Sequence, residues 1–403
     1  MSIENLTSSI AAQQPALRRA SLCILIGGIL GMMMAMGIGR FAYTAILPVM
    51  QRELGMTNAV AGWLASINYI GYLAGAILCS FFPLLLRSSA VNISAALASV
   101  ASTFLMGAVL WPQAWGLLRG VSGLASAILF VVISIEVSES LTRRGYGHWI
   151  GALYGGIGLG IALSGSMVPL FESVGGWRFT WFGMGALAGL LTLSGVLLAR
   201  KKGAALEISV GEATHGPGAN SYRLLAAAYF CEGLGYIVSA TFIVTMIARM
   251  PGLESFAPYC WVAVGLAAAP STLFWQQVGR RIGVRPALIL AYTVQALGIL
   301  ISIRATTVLE AGLAAVSFGG TFLGIVTLVM TEGNRRAGHD GRRTAAVLTV
   351  CFSIGQVIGP PLAGRMADLR GGFALPLLLA ALAVISGGVL VTLDTAGFRR
   401  SNN

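Results

Sequence analysis

Charge is the scarcest property of this sequence. Only 10% of its 403 residues are Asp, Glu, Lys or Arg, 56% are hydrophobic, and the mean hydropathy is +0.82. A water-soluble globule needs far more polar surface than that, so a soluble enzyme or binding module is excluded. Histidine is nearly absent, with three residues, and the five cysteines, Cys23, Cys79, Cys231, Cys260 and Cys351, are scattered through apolar runs without ligand-like spacing. No metal centre or disulfide framework is expected. The methionine group Met32, Met33, Met34 and Met36 has no accompanying histidine or cysteine pattern, so it reads as flexible apolar lining. Phosphate-binding loops and nucleophile triads are lacking too, and no cofactor, ATP-driven step or enzymatic activity is expected. Acidic residues number 14 against 26 basic ones, a formal net charge of +12. The basic residues lie in short pieces between apolar runs, with no polar face to concentrate them, so nucleic acid is not an expected partner.

What the chain has in abundance is apolar segments of about 20 residues, the length that crosses a bilayer. They fall near 22–47, 60–82, 90–110, 113–135, 149–171, 178–199, 224–248, 256–274, 286–303, 308–330, 344–364 and 373–393. The first is too long for a signal peptide's apolar core and is expected to stay in the protein. The longest polar stretch separates the sixth segment from the seventh and gives predicted units 1–199 and 224–403 with a cytoplasmic linker at 200–223. With both termini cytoplasmic, most basic residues fall on the inner loops, as the positive-inside rule requires. Gly37-Ile38-Gly39-Arg40 also lines up with Gly233-Leu234-Gly235-Tyr236 at the same place in each half. The expected architecture is an all-α membrane protein of twelve transmembrane helices in two pseudo-symmetric six-helix bundles, acting as a monomer. A substrate site would lie between the bundles.

Two arginines stand inside apolar segments. Burying one in a membrane costs on the order of 3 kcal/mol, so Arg40 and Arg119 need a reason to be there. One reading is an anion-attracting or gating cavity; the other is a clamp on helix carbonyls. Phe41, Tyr43, Asn68, Tyr154, Tyr236 and Gln356 complete the candidate substrate site, with Asn68 and Gln356 singled out because an amide in hydrocarbon needs partners. Tyr69 and Tyr72 read as ordinary packing. Glu232 is the one acidic side chain well inside the second half, and a carboxylate that meets each side of the membrane in turn can carry a proton. Glu136 and Glu139 with Arg143 and Arg144, and Glu332 with Arg335 and Arg336, are expected to form gating ion pairs at the inner ends of two spans. The glycines Gly151, Gly155, Gly156, Gly158, Gly160 and Gly165 lie in an apolar run and predict close helix packing.

These segments resemble the major facilitator superfamily, nearest its YbfB/YjiJ-like bacterial branch, over essentially the whole chain. The resemblance rests on Gly39-Arg40-Phe41-Ala42-Tyr43 through Pro48, on Arg119-Gly120-Val121-Ser122-Gly123, on Gly176-Trp177-Arg178, and on Gly355-Gln356 with Gly359-Pro360. Gly279-Arg280-Arg281 with Gly283 is similar to a degenerate copy of the superfamily's loop motif. The chain departs from the pattern at Phe81 to Arg87, which lacks the acidic residue and basic cluster of the loop credited with a charge relay. It also has Met167-Val168-Pro169 where drug/proton antiporters carry a glycine–proline pair.

The resemblance implies proton-coupled exchange involving Arg119. The expected function is a proton-coupled secondary transporter in the bacterial inner membrane, moving a small organic anion or zwitterion by alternating access. An exporter of amphipathic drug-like compounds and a non-transporting receptor on the same scaffold are the alternatives.

Overall fold

The computed structural model describes residues 3–200, 222–337 and 341–395, and all its regular elements are helical. The predicted linker 200–223 lies almost entirely outside the described residues. Helix α1 (Ile3–Met32) widens into a π-helical segment, Met33–Ile38, turns at Gly39 to Phe41 and continues as α2 (Ala42–Leu54). There follow α3 (Asn58–Phe81), α4 (Ser89–Leu105), α5 (Pro112–Arg143) and α6 (Ile150–Arg200). The second half comprises α7 (Arg223–Ile247), α8 (Ala257–Ile282), α9 (Val284–Arg304), α10 (Val308–Ala337), α11 (Gly341–Arg370) and α12 (Ala374–Leu393).

Among the described residues, ten helices are long and apolar enough to cross a membrane, and large apolar side chains such as Leu117 and Leu309 stand on the outside. The chain is a multi-pass membrane protein. Ten differs from the twelve segments expected from sequence at two places. Helix α4 has only 17 residues, and the stretch Gly147–Leu198 counts once although its 52 residues exceed twice a bilayer's requirement. That stretch is not one straight rod. Gly175 and Gly176 leave helical geometry, Gly176 with φ +62°, and this conformation costs glycine least. Trp177 N then donates to Glu53 Oε1 at 3.1 Å, fixing the bend to the end of α2.

One end of the molecule carries the α5–α6 and α8–α9 connections, and this is the terminal end. At the far end, where α2 meets α3 and α7 meets α8, the two halves are closed against each other. Ser66 Oγ donates to Val357 O at 2.6 Å and Thr44 Oγ1 to Ala240 O at 2.6 Å. A Cβ at Gly62 would overlap the Pro360 carbonyl, and one at Gly364 the Asn58 carbonyl. Asp368 of α11 accepts from Asn58 N at 3.0 Å, Asn58 Nδ2 at 2.7 Å and Ala59 N at 2.8 Å, which places a carboxylate on the N-terminus of α3. Arg249, between α7 and α8, is held below the ordinary arginine range by burial, an effect the Asp368 charge opposes.

An N-terminal cap of this kind contributes about 1 kcal/mol, and this one exists only while the far end is shut. Asp368→Ala is expected to favour far-end opening several-fold. In a background with the five cysteines replaced, an Ala61→Cys reporter, fully buried here, should be alkylated faster when Asp368 is absent. Equal rates would show that the cap does not hold this end.

Candidate functional site

The π-helical segment sets the site's geometry. Gly39 N bonds back to Met34 O at 2.9 Å, and Arg40 N and Phe41 N both turn to Met36 O. The carbonyls of Ala35, Gly39 and Arg40 are thereby freed from the helical ladder, inside a membrane where water cannot serve them. Helix α5 supplies the donors. Ser126 Oγ donates to Ala35 O at 2.7 Å, Ser122 Oγ to Gly39 O at 2.7 Å, and Arg119 reaches Gly39 O through Nη1 at 3.4 Å and Arg40 O through Nη2 at 3.3 Å. The Arg119 guanidinium also lies 4.6 Å from the centre of the Tyr43 ring. Asn68 Nδ2 donates to Arg119 O at 2.9 Å, and Tyr43 Oη to Ala61 O at 3.0 Å. Arg119, Tyr43 and Asn68 therefore form a clamp behind the bend, and none of them lines the central cavity described next.

The same bend turns Arg40 the other way. It lines a cavity of about 430 Å³ between the two halves, bounded by α3, α5, α6, α7, α8, α10 and α11 as well as the bend. Gln356 and Phe322 are buried at its inner limit, whereas Thr331 and Asn334 near the end of α10 are exposed, so it opens toward the terminal end. Arg40 is only 3% exposed. Its guanidinium is stabilised by aromatic faces, 3.9 Å from the ring centre of Tyr72, 4.9 Å from Tyr69 and 5.5 Å from Phe41, and by one amide, Nη2 donating to Gln356 Oε1 at 2.9 Å. Gln356 Nε2 donates in turn to the Tyr236 hydroxyl. Arg40 and Tyr236, aligned between the halves by sequence, thus share a single amide. Arg40 Nε and Ser353 Oγ have no hydrogen-bond partner and belong to residues lining this space. No acidic side chain lines it among the described residues.

Opposite Arg40 stands a bank of nearly parallel rings. Tyr236 stacks on Phe352 at 5.3 Å and 10° and on Phe322 at 5.9 Å and 7°, and Tyr229 stacks on Phe352 at 4.3 Å. Of the residues singled out from sequence, Phe41, Tyr154, Tyr236 and Gln356 line the same cavity as Arg40. Tyr72, read from sequence as packing, instead covers the cation and lines the cavity, a role fixed by Arg40 turning toward it. Sequence reasoning missed Tyr229, Phe322, Phe352 and Ser353. The available signal was spacing, since Tyr229 with Tyr236 and Phe352 with Gln356 recur on single helix faces.

Glu232 shares a helix with Tyr229 and Tyr236, yet its carboxyl points behind the ring bank. Gln295 Nε2 of α9 donates to Glu232 Oε1 at 2.6 Å, and Thr321 Oγ1 of α10 donates to Gln295 Oε1 at 2.9 Å. Glu232 Oε2 has no partner and the residue is 1% exposed. The remaining charged candidates lie at the terminal end. Glu139 is 4.0 Å from Arg143 on the same helix, Arg144 is half-buried beside it, and Glu136 lines a separate crevice among α1, α4, α5 and α6. Glu332 pairs with Arg335 at 2.6 Å and Arg336 at 2.7 Å, and Arg336 with Asp394 beyond α12 at 2.5 Å. These bonds fasten α10 to the end of its own half.

Two sets of solved structures share this fold. A variant of the nucleoside transporter NupG has a TM-score of 0.73 at 13% identity, with 94% of this chain and 100% of that chain covered. A bacterial homologue of the human lysosomal transporter Spinster, inward-facing and occupied, has a TM-score of 0.68 at 14% identity, covering 96% and 98%. Among curated protein sequences none matches the chain. The family described as the uncharacterised MFS-type transporter YbfB matches residues 32–392. The match covers nearly the whole chain, which therefore belongs to the MFS-type transporters, and a cavity between helices, open at one end and shut at the other, is consistent with a carrier.

Proposed function

We propose that this secondary transporter carries a small organic anion by alternating access, coupled to a proton. The observation that carries the reading is Arg40, a buried guanidinium on the central cavity with one nitrogen unpartnered and no carboxylate among the cavity's described lining. Such a cation favours an anionic ligand, whose carboxylate would pair with the Arg40 guanidinium while its apolar body lies against the rings. A zwitterion fits less well because its ammonium would find no acidic partner there. A cationic drug would meet the arginine head-on, which argues against the exporter alternative for cations.

In this reading the broken stretch around Gly175 and the short helix α4 bring the crossings to twelve, in two six-helix bundles spanning residues 1–199 and 224–403. The protein acts as a monomer in the bacterial inner membrane with both termini cytoplasmic. The terminal end then faces the cytoplasm, and the described state is inward-facing, shut outside by Asp368 and the contacts of α3 with α11. Opening and closing would rock the bundles about the cavity.

Glu232 is the assigned proton carrier. It lies one layer behind the cavity with an unpartnered oxygen, and Gln295 and Thr321 connect it to α10, which lines the cavity. Uptake of an organic monoanion into proteoliposomes, measured across a series of imposed pH gradients, tests this assignment. The intact protein should respond to the gradient, whereas Glu232→Gln should bind the anion with similar affinity but lose the pH response. Undiminished proton flux in the variant would move the coupling site elsewhere.

A further inference from the structure

Besides α2 against α7, two long helix pairs join the halves, α6 with α8 and α3 with α11, and these are not equally closed. Helices α6 and α8 are joined over about 20 Å, four helical turns from Gly151 to Gly165. Along it a Cβ at Gly155 would lie 2.8 Å from Ala269 O, one at Gly265 2.5 Å from Gly158 O, and one at Gly165 3.0 Å from Val262 N. From Gly155 to Gly165 backbone touches backbone, and Gly151 meets the Leu273 side chain. Helices α3 and α11 make the same kind of contact only at the far end, through Gly364 and Asn58, Gly62 and Pro360, and Ser66 and Val357.

Toward the terminal end α3 and α11 part. Between them lies a second cavity of about 660 Å³, larger than the central one, with α5 as its back wall. Its lining is apolar over most of its extent, including Leu73, Ala76 and Ile77 of α3, Ile135 of α5 and Ala346 and Val350 of α11. Tyr72, Phe130 and Thr349 line both cavities, so the two spaces adjoin at these three side chains. At the outer rim Ile77 is 39% and Phe81 76% exposed, an apolar border suited to lipid rather than water.

We propose that the parted α3–α11 contact is a lateral portal, through which the apolar tail of a long-chain organic monoanion extends into the bilayer while its head group is held at Arg40. The inference rests on the anion reading of the central cavity and gives it a substrate class. Charge and apolar surface select this occupant together. Arg40 is the one cation among the central cavity's described lining, the adjoining space between α3 and α11 is lined mostly by apolar side chains with Glu139 as its one carboxylate, and Tyr72, one of the three residues shared by both spaces, has its ring against the guanidinium. The closed α6–α8 contact makes the portal one-sided. A short, compact anion would use the same cation without needing the window.

The test uses the full-length protein in lipid nanodiscs with dodecanoate carrying a diazirine at its last carbon. Photolysis and peptide mapping should place the label on residues 73–80 or 345–351. Excess benzoate should suppress that labelling by competing for the head-group site, Arg40→Gln should abolish it, and Ala76→Trp should reduce it at least tenfold by filling the window. Benzoate titration is run alongside, and is expected to be unchanged in Ala76→Trp, which also shows that this variant folds. Label spread evenly over lipid-facing helices would overturn the portal. So would window labelling that ignores both benzoate and Arg40→Gln, since it would mark a crevice filled by lipid chains only. If the unmodified protein does not bind benzoate, the anion reading itself fails, and that outcome is distinct from a portal that fails while benzoate binds.

Discussion

Replacing Arg40 with alanine should weaken binding of an organic monoanion by at least 100-fold, with the protein still folded. Removing one member of a buried charge pair leaves the other uncompensated and costs about 3 kcal/mol or more, and each 1.4 kcal/mol is tenfold in Kd. In this site the loss would be one-sided. Gln356 would keep its bond to the Tyr236 hydroxyl, and the rings of Tyr69 and Tyr72 would lose only the cation beside them. Arg40→Lys should recover part of the affinity, because a point charge remains while the planar fork that reaches Gln356 and the ligand together is gone. Titration calorimetry on purified protein reads both variants. An alanine variant with unchanged Kd and a normal melting profile would remove Arg40 from the site.

Arg119→Ala should have an effect of a different kind. This side chain serves carbonyls of the bend, and its deletion leaves Arg40 O without a donor and Gly39 O dependent on Ser122 alone. A buried carbonyl left unpaired costs about 1–3 kcal/mol, and the emptied space beside the Tyr43 ring adds to that. The expected result is a loss of about 3 kcal/mol in stability, seen as a clearly lowered melting temperature in detergent. Weakened anion binding should follow, because the bend aims Arg40. A second substitution separates the two roles: Ser122→Ala removes a bond to the same Gly39 carbonyl without touching any charge, and should shift melting and binding in the same direction by a smaller amount. Full stability in Arg119→Ala with binding abolished would mean that Arg119 meets the ligand directly.

These two arginines also mark the limit of what hydropathy and charge convey. Each is a cation at similar depth in an apolar run, and sequence alone left open whether they served a ligand or a carbonyl. In the structure Arg119 meets the carbonyls of the bend and Arg40 lines the central cavity, and the feature that separates them is the π-helical segment Met33–Ile38. Nothing in its run of methionine and small residues announces a change of helical pitch. The helices themselves were legible because a bilayer demands long apolar runs, and the count was ambiguous at two places, the short helix α4 and the bend at Gly175 and Gly176 within continuous apolar sequence. Close packing was legible from the glycines of α6, although its partner, α8, was not. Gln356 was readable because an amide in hydrocarbon must find partners. Phe322 and Phe352 were not, since a phenylalanine facing a cavity and one facing lipid look alike in a greasy sequence. Asp368 passed unnoticed because a carboxylate near a loop is commonplace until the α3 N-terminus it caps is known.

The most direct measurement is a thermal-stability screen of the purified protein against organic monoanions, amino acids, sugars and organic cations at matched concentrations. A ligand that binds only the folded state raises the apparent stability by mass action, about 2.7 kcal/mol at 100 times its Kd. The cavity at Arg40 predicts that monoanions with an apolar body raise the melting temperature and that organic cations leave it unchanged. Stabilisation by cations alone, or by none of the anions at saturating concentration, would contradict the account.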